Sequence, residues 1–167
     1  VSPNLCRRGY VMSISPSLRK YLEQQSAQYE TLSHPRTLSS VDSAVAAHIP
    51  GEQLAKAVIV KDAEDYVMVV VPSSHHLHLG RLHHHLGHDV GLATEDEVFK
   101  LFPDCDEGAI PPVGVAYGFR TLVDADLMNQ SDIFFESGDH RNLIKVSGQQ
   151  FSTLLGGAER VQMGLDL

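Results

Sequence analysis

Two β-branched runs, residues 55–60 and 66–71, flank the polar stretch Lys61-Asp62-Ala63-Glu64-Asp65. Extended runs joined by a short polar stretch are the pattern of a β-hairpin. A strand wetted on one face alternates apolar and polar residues; these two do not, so both of their faces must be covered. The hairpin is therefore expected at the centre of a sheet, with the rest of the chain layered around it. Lys56 breaks the pattern near the start of the first run. A cation there must snorkel out, pair, or face a cleft.

The flanking sequence offers short elements. Ser15-Pro16 starts a helix, and Leu18, Tyr21 and Leu22 give it a narrow apolar face. Residues 29–32 suit a strand broken by His34-Pro35, and Ser39-Ser40-Val41-Asp42 has the spacing of a capping box that opens a helix over 44–48. A helix over 79–86 stops at Gly87, and a strand follows over 90–93. Thr94-Glu95-Asp96-Glu97 is a second capping box, turning Val98, Leu101 and Phe102 inward before Pro103. Strands are expected over 119–123, 133–136 and 143–146, and a last helix from Ser147 to Leu155, ended by Gly156-Gly157. About seven strands and five short helices in irregular order predict a mixed α/β (α+β) domain with a largely antiparallel sheet.

The 167 residues are enough for one domain with a sizeable core. Residues 1–11 precede Met12 and lack helical patterning; they are expected to be an upstream extension or an expression remnant, leaving 12–167 as a single domain. The whole chain carries a formal charge of −8, and without the extension 11 basic and 21 acidic residues leave −10. That balance argues against a broad phosphate-gripping surface, and no DNA partner is expected. No apolar run approaches the roughly 20 residues of a membrane span. Cys6 and Cys105 are the only cysteines, too few for a disulfide framework or a Cys-rich zinc site, which suits a reducing, cytoplasmic compartment.

Seven of the ten histidines lie between His75 and His88. His84 and His88 are spaced to share a helix face, but His83, His84 and His85 point in three directions and no HExxH or CxxC accompanies them. A solvated helix face is the expectation, with no metal and no cofactor. Ser17-Leu18-Arg19-Lys20 matches SxxK without its companion motifs. Cys105 stands among Asp104, Asp106 and Glu107, whose charge opposes a thiolate. No GxSxG, Walker A or GxGxxG occurs, so neither a protein nucleophile nor a phosphate cradle is supported.

Three features remain. Lys56 is the first. The second is Gly108-Ala109-Ile110-Pro111-Pro112-Val113-Gly114, either an ordinary connecting turn or a rigid loop that aims backbone N–H groups outward. The third is Ser137-Gly138-Asp139-His140-Arg141, either an exposed hairpin tip or a functional turn with an imidazole beside a guanidinium.

In this order, and with the elements between them, these segments resemble the YbaK/prolyl-tRNA synthetase-associated editing domain family from about Tyr29 to Leu155; the closing part of the match is Phe135-Glu136-Ser137-Gly138-Asp139-His140-Arg141-Asn142-Leu143-Ile144 with the Ser147-Gly148 helix start. The resemblance implies a barrel-like, largely antiparallel sheet with short flanking helices. It implies hydrolysis in trans of a mischarged aminoacyl-tRNA, with the tRNA acceptor end as partner and an aminoacyl-tRNA synthetase as a further candidate partner. The family's lysine falls on Lys56, its glycine loop on Gly108 and Gly114, and the histidine of one branch on His140, which disfavours the cysteinyl-tRNA(Pro) branch. Pro111, Pro112, Ser137, Gly138, Asp139 and Arg141 are then the candidate substrate-binding residues. Pro111-Pro112 replaces the Ser-Pro or Thr-Pro common in the family and leaves the acyl group open, a small one such as alanine being expected. An activated ester needs only a positioned water or ribose hydroxyl and an oxyanion site. A tRNA- or synthetase-binding module without activity and a His-rich metal-binding protein are the alternatives.

Overall fold

The computed structural model describes residues 14–34, 43–45, 47–106 and 108–162, and the backbone of 164–166. Residues 1–11 and the capping-box segment 39–42 lie outside the described residues. The hairpin is present as β2 (Leu54–Asp62) and β3 (Asp65–Pro72), paired antiparallel from Ala55↔Pro72 to Asp62↔Asp65. It is central, as its unbroken apolar character requires. The sheet runs β1 (Glu30–Ser33), β8 (Asn142–Ser147), β7 (Asp132–Glu136), β2, β3, β6 (Arg120–Asp124) and β9 (Glu159–Val161), and β5 (Gly91–Leu92) joins β2 further along.

The fold is mixed α/β, and most paired residues are antiparallel. The β2/β7, β3/β6 and β6/β9 ladders are parallel. Among the described residues the sheet is open, with β1 and β9 as its edges, rather than a closed barrel. A separate pair, β4 (His75–Leu77) with β10 (Gly164–Asp166), completes the strands. The expected count misses β4, β9 and β10. Each of these is three residues long, too short for a period-2 pattern to stand out.

The helices start and stop where local chemistry says they should. In α1 (Pro16–Gln24), Ser15 Oγ accepts from the Leu18 N–H. Helix α2 (Leu79–Leu86) ends at Gly87 in the left-handed region, φ 82°. In α3 (Glu95–Leu101) the Thr94/Glu97 capping box is complete. Helix α4 (Gly148–Leu155) is capped by Ser147.

Alternation along β2 divides the interior. Ala55 and Ile59 join the larger cluster, with Leu18, Met68, Phe102 and Phe151, and Ala57 packs against it. Val60 packs with Val69, Val71 and Leu82 of α2, and Val58 lies against that group. Leu54 meets Phe134, Leu143 and Ala44 in a third cluster.

Gly114 shows what the loop over 108–114 is anchored to. It is buried and opens a short 3-10 turn, Gly114–Tyr117. A Cβ at this position would lie 2.0 Å from Thr121 Oγ1. Gly114→Ala is expected to cost about 1–3 kcal/mol in urea unfolding through this overlap. Adding Thr121→Ala, which removes the oxygen in the way, is expected to recover part of that loss.

Candidate active site

The site begins where two strands part. β2 and β7 pair only at Leu54↔Phe134 and Ala55↔Phe135. β2 finds its next partner on that side at Val60↔Leu92. The intervening residues of β2 therefore border a fork. Lys56 and Glu136 are the first residues past the last β2/β7 pair. Because Leu54 and Phe134 share a face, so do Lys56 and Glu136, two residues further along each strand.

Lys56 is half-buried, and no hydrogen bond or ion pair holds its ammonium among the described residues. Burial alone lowers its pKa from the usual lysine value. Of the expected outcomes, pairing is not realised. Glu136 is 1% exposed. Its Oε2 accepts from Ser43 Oγ at 2.9 Å and lies 3.4 Å from His140 Nδ1. Its Oε1 has no hydrogen-bond partner among the described residues.

The turn between β7 and β8 is not the exposed hairpin tip that is the commoner case. Ser137 is fully buried and His140 is 1% exposed. Backbone bonds tie the turn to three separate segments: Ser15 N–H to Ser137 O, His34 N–H to Arg141 O and Asp106 N–H to Gly138 O. Asp139 organises it from within, its Oδ1 accepting from the Arg141 and Asn142 N–H groups at 2.9 and 3.0 Å. His140 is held at φ 57°, a left-handed conformation that costs a non-glycine residue roughly 1–2 kcal/mol. Strain of this kind concentrates at functional sites. Arg141 is exposed.

A cleft of about 800 Å³ opens beside the fork. Ala57, Ile59, Phe102 and Ile110 form its apolar walls, Glu95, Asp96 and Asp106 its acidic rim, and Gly108 and His140 also face it. Gly108 has φ 78°. Pro111, Pro112 and Gly114 are buried and lie outside the cleft lining. Lys56 is on the opposite face of β2 from Ala57 and Ile59 and is not among the residues that line the cleft. Thus His140 and Gly108 come together at the cleft, Lys56 and the rest of the 137–141 turn lie outside its lining, and Gly114 anchors the loop.

Glu136 and Ser43 escaped the sequence analysis. The available signal was a carboxylate inside the apolar run Ile133-Phe134-Phe135-Glu136, on a strand whose neighbours require burial. Nothing in the sequence placed Ser43 beside it, 93 positions away.

The remaining candidates resolve simply. His83 and His85 on α2 have different partners, Val90 O and Glu159, and His88, which follows the Gly87 stop and so shares no helix face with His84, meets Asp62. Among the described residues one set could hold a metal: His75, Asp124 and Asp126 offer donor atoms within 4.8 Å of one another, a mixed nitrogen and oxygen set. The Cys105 thiol is pushed up to about 12, by burial first and by Asp104 as well. No helix among the described residues is long and apolar enough to cross a membrane.

Residues 34–154 match the model of the aminoacyl-tRNA editing domain, and the chain belongs to that family. No curated protein sequence matches it significantly. The fold is that of a proposed trans-editing enzyme for prolyl tRNA synthetase, with a TM-score of 0.78 at 23% identity over 92% of this chain and 99% of the other. A hypothetical protein of solved structure is similar as well, with a TM-score of 0.79 at 20% identity over 89% of this chain and 99% of the other.

Two outcomes test the electrostatics. Cys105 in the folded protein is expected to react with iodoacetamide at pH 8 at least about 100-fold more slowly than in urea, read by site-resolved mass spectrometry. Lys56→Met is expected to raise the melting temperature at neutral pH by on the order of 2–4 °C, because an unpaired, half-buried cation is removed. The sign with pH follows from the lowered pKa. As pH rises through the folded value of Lys56 toward 10.5, the folded wild type loses its proton first and gains stability, so the advantage of the variant shrinks. An advantage that grows with pH would refute the assignment.

Proposed function

We propose that this protein is a cytoplasmic, free-standing, YbaK-like aminoacyl-tRNA deacylase that protects translation fidelity. Its substrate would be a mischarged tRNA carrying a small amino acid, of the alanyl-tRNA(Pro) kind, delivered at the acceptor end with or without an aminoacyl-tRNA synthetase. Membership in the editing family supports a role in editing. The observation that carries the catalytic reading is the juxtaposition at the fork: a half-buried lysine, unpaired among the described residues, level with a buried carboxylate that has an imidazole 3.4 Å away.

An aminoacyl ester is already activated, so no protein nucleophile is required. Water, oriented by the neighbouring ribose hydroxyl, adds to the acyl carbon, the carbonyl oxygen takes the charge, and the ribose oxygen leaves with a proton. Lys56 binds the 3′-terminal phosphate or the carbonyl oxygen. The N–H groups around Gly108 meet the oxyanion, with Gly114 holding the loop. His140, oriented by Glu136, positions the water or accepts its proton. Ser137, Gly138 and Asp139 fix the turn, Arg141 reaches the acceptor strand, and Pro111-Pro112 stiffens the wall on the acyl side.

The test is single-turnover deacylation of Ala-, Ser-, Thr- and Cys-charged tRNAs. Alanyl ester is expected to be cleaved fastest. Lys56→Ala and His140→Ala are each expected to slow it about 100-fold or more. Full activity of Lys56→Ala on every substrate would sink the assignment. Binding of a charged minihelix with its ester left intact would make the protein a binding module instead.

A further inference from the structure

Away from the cleft, the fold gathers a second group of ionisable side chains. His75 opens β4 and is 7% exposed, unlike His84 and His85 of α2, which are exposed. Asp124 ends β6 and is fully buried. Asp126, half-buried, stands in the 3-10 turn Ala125–Asn129 that follows. Each of the three offers a donor atom, and these atoms lie within 4.8 Å of one another. None of the three lines the cleft. Two carboxylates this close, one of them buried, repel one another more strongly than they would in open solvent. One imidazole offsets at most one of the two negative charges. A doubly charged cation among the three donors offsets both.

We propose that His75, Asp124 and Asp126 form a site for a divalent transition-metal ion of the zinc class. The assignment is independent of the deacylase reading. An imidazole nitrogen with two carboxylate oxygens suits a borderline ion; an all-oxygen set would favour magnesium or calcium, and thiolates a softer metal. Zinc holds nitrogen and oxygen donors at about 2.0–2.2 Å, which sets those donors roughly 3–4 Å apart. The set is near that geometry, and rotation of the half-buried Asp126 side chain completes it. The carboxylates are already oriented. Asp124 Oδ1 accepts from the Asp126 N–H at 2.9 Å, and Asp126 Oδ2 accepts from Gln162 Nε2 at 3.0 Å. Outer contacts of this kind fix the direction in which a metal-binding carboxylate points, and each of the two can ligate through its other oxygen. Three protein donors leave a fourth position for water. The bound ion ties β4, which lies outside the main sheet, to the end of β6 and the turn that leads to β7.

The experiment uses the full chain, stripped with EDTA and returned to EDTA-free buffer. Zn²⁺ is titrated in competition with a chromophoric chelator, and the melting temperature is followed in parallel. The exposed histidines compete for zinc, so the titration is repeated on a His83→Gln/His84→Gln/His85→Gln/His88→Gln background. One tight equivalent is expected to survive there, raising the melting temperature by roughly 5–10 °C at a hundredfold excess over Kd. Loss of all tight zinc on that background overturns the proposal. His75→Gln and Asp124→Asn are each expected to weaken zinc by about 100-fold or more, beyond what loss of an outer contact costs. Both residues are buried, so the half-buried position supplies the decisive variant. Asp126→Asn is expected to melt higher than wild type without metal, because the like-charge pair is gone, and to lose most of the zinc-induced rise. If the group is only an imidazole–carboxylate contact with a second acid nearby, Asp126→Asn leaves the zinc affinity unchanged, which overturns the site. A larger rise with Mg²⁺ than with Zn²⁺ at equal concentration overturns the class of metal assigned.

Discussion

The register between β2 and β3 is the constraint on which the rest of the molecule depends. Eight consecutive pairs, Ala55↔Pro72 to Asp62↔Asp65, fix the side to which every residue of the central strands points. A slip of one position would exchange the two faces, sending Ala55 and Ile59 out of the larger cluster and Val60 into it. The other strands hang from this pair: β7 and β5 on the outer edge of β2, β6 on that of β3. Both faces are apolar because both are covered, α1 and α4 lying over one and α2 over the other.

The same register leaves one place unfinished. β7 follows β2 for two pairs and turns away, and β5 arrives only at Val60. A sheet interior cannot leave backbone groups facing apolar packing without partners, but it can leave them facing a cleft. The fork is therefore a natural opening within the sheet. Three polar groups lie near it: among the described residues Lys56 has no partner and one oxygen of Glu136 has none, and His140 is in a strained backbone conformation. Each is unfavourable for stability taken alone. Their concentration at one opening is what a preorganised site requires, since groups already held and already desolvated need no reorganisation when charge develops.

The acidity of the chain takes on meaning in this setting. With acids in excess and Glu95, Asp96 and Asp106 around the cleft, the surface offers no broad grip on a phosphate backbone. Lys56 stands at the fork and Arg141 is exposed on the turn that follows β7. Lys145 is set over the Phe134 ring at 5.9 Å, its charge engaged with the sheet rather than with the cleft. Such a surface suits recognition of a nucleic-acid terminus, where a few contacts to one charged, bifunctional end do the work of many to a backbone.

Local chemistry was legible in the residues because it acts over a few positions. Ser15-Pro16, Thr94 with Glu97, Gly87 and Ser147 set helix ends through bonds between near neighbours, and the unbroken apolar runs could only be a buried hairpin. Lys56, the 108–114 loop and the 137–141 turn stood out for the same reason, as polar or rigid breaks in those patterns. What the residues could not show depends on contacts between distant segments. The turn over 137–141 reads as an exposed tip until α1, His34 and Asp106 close over it. Gly114 reads as a free loop glycine until Thr121 packs against it. Glu136 reads as the end of a strand until Ser43 and His140 meet it in the interior. The sequence by itself determined most of the elements, the central hairpin and the family. The tertiary structure alone decided which polar groups lost their water together, because burial and pairing are properties of the folded neighbourhood and not of any residue in the chain.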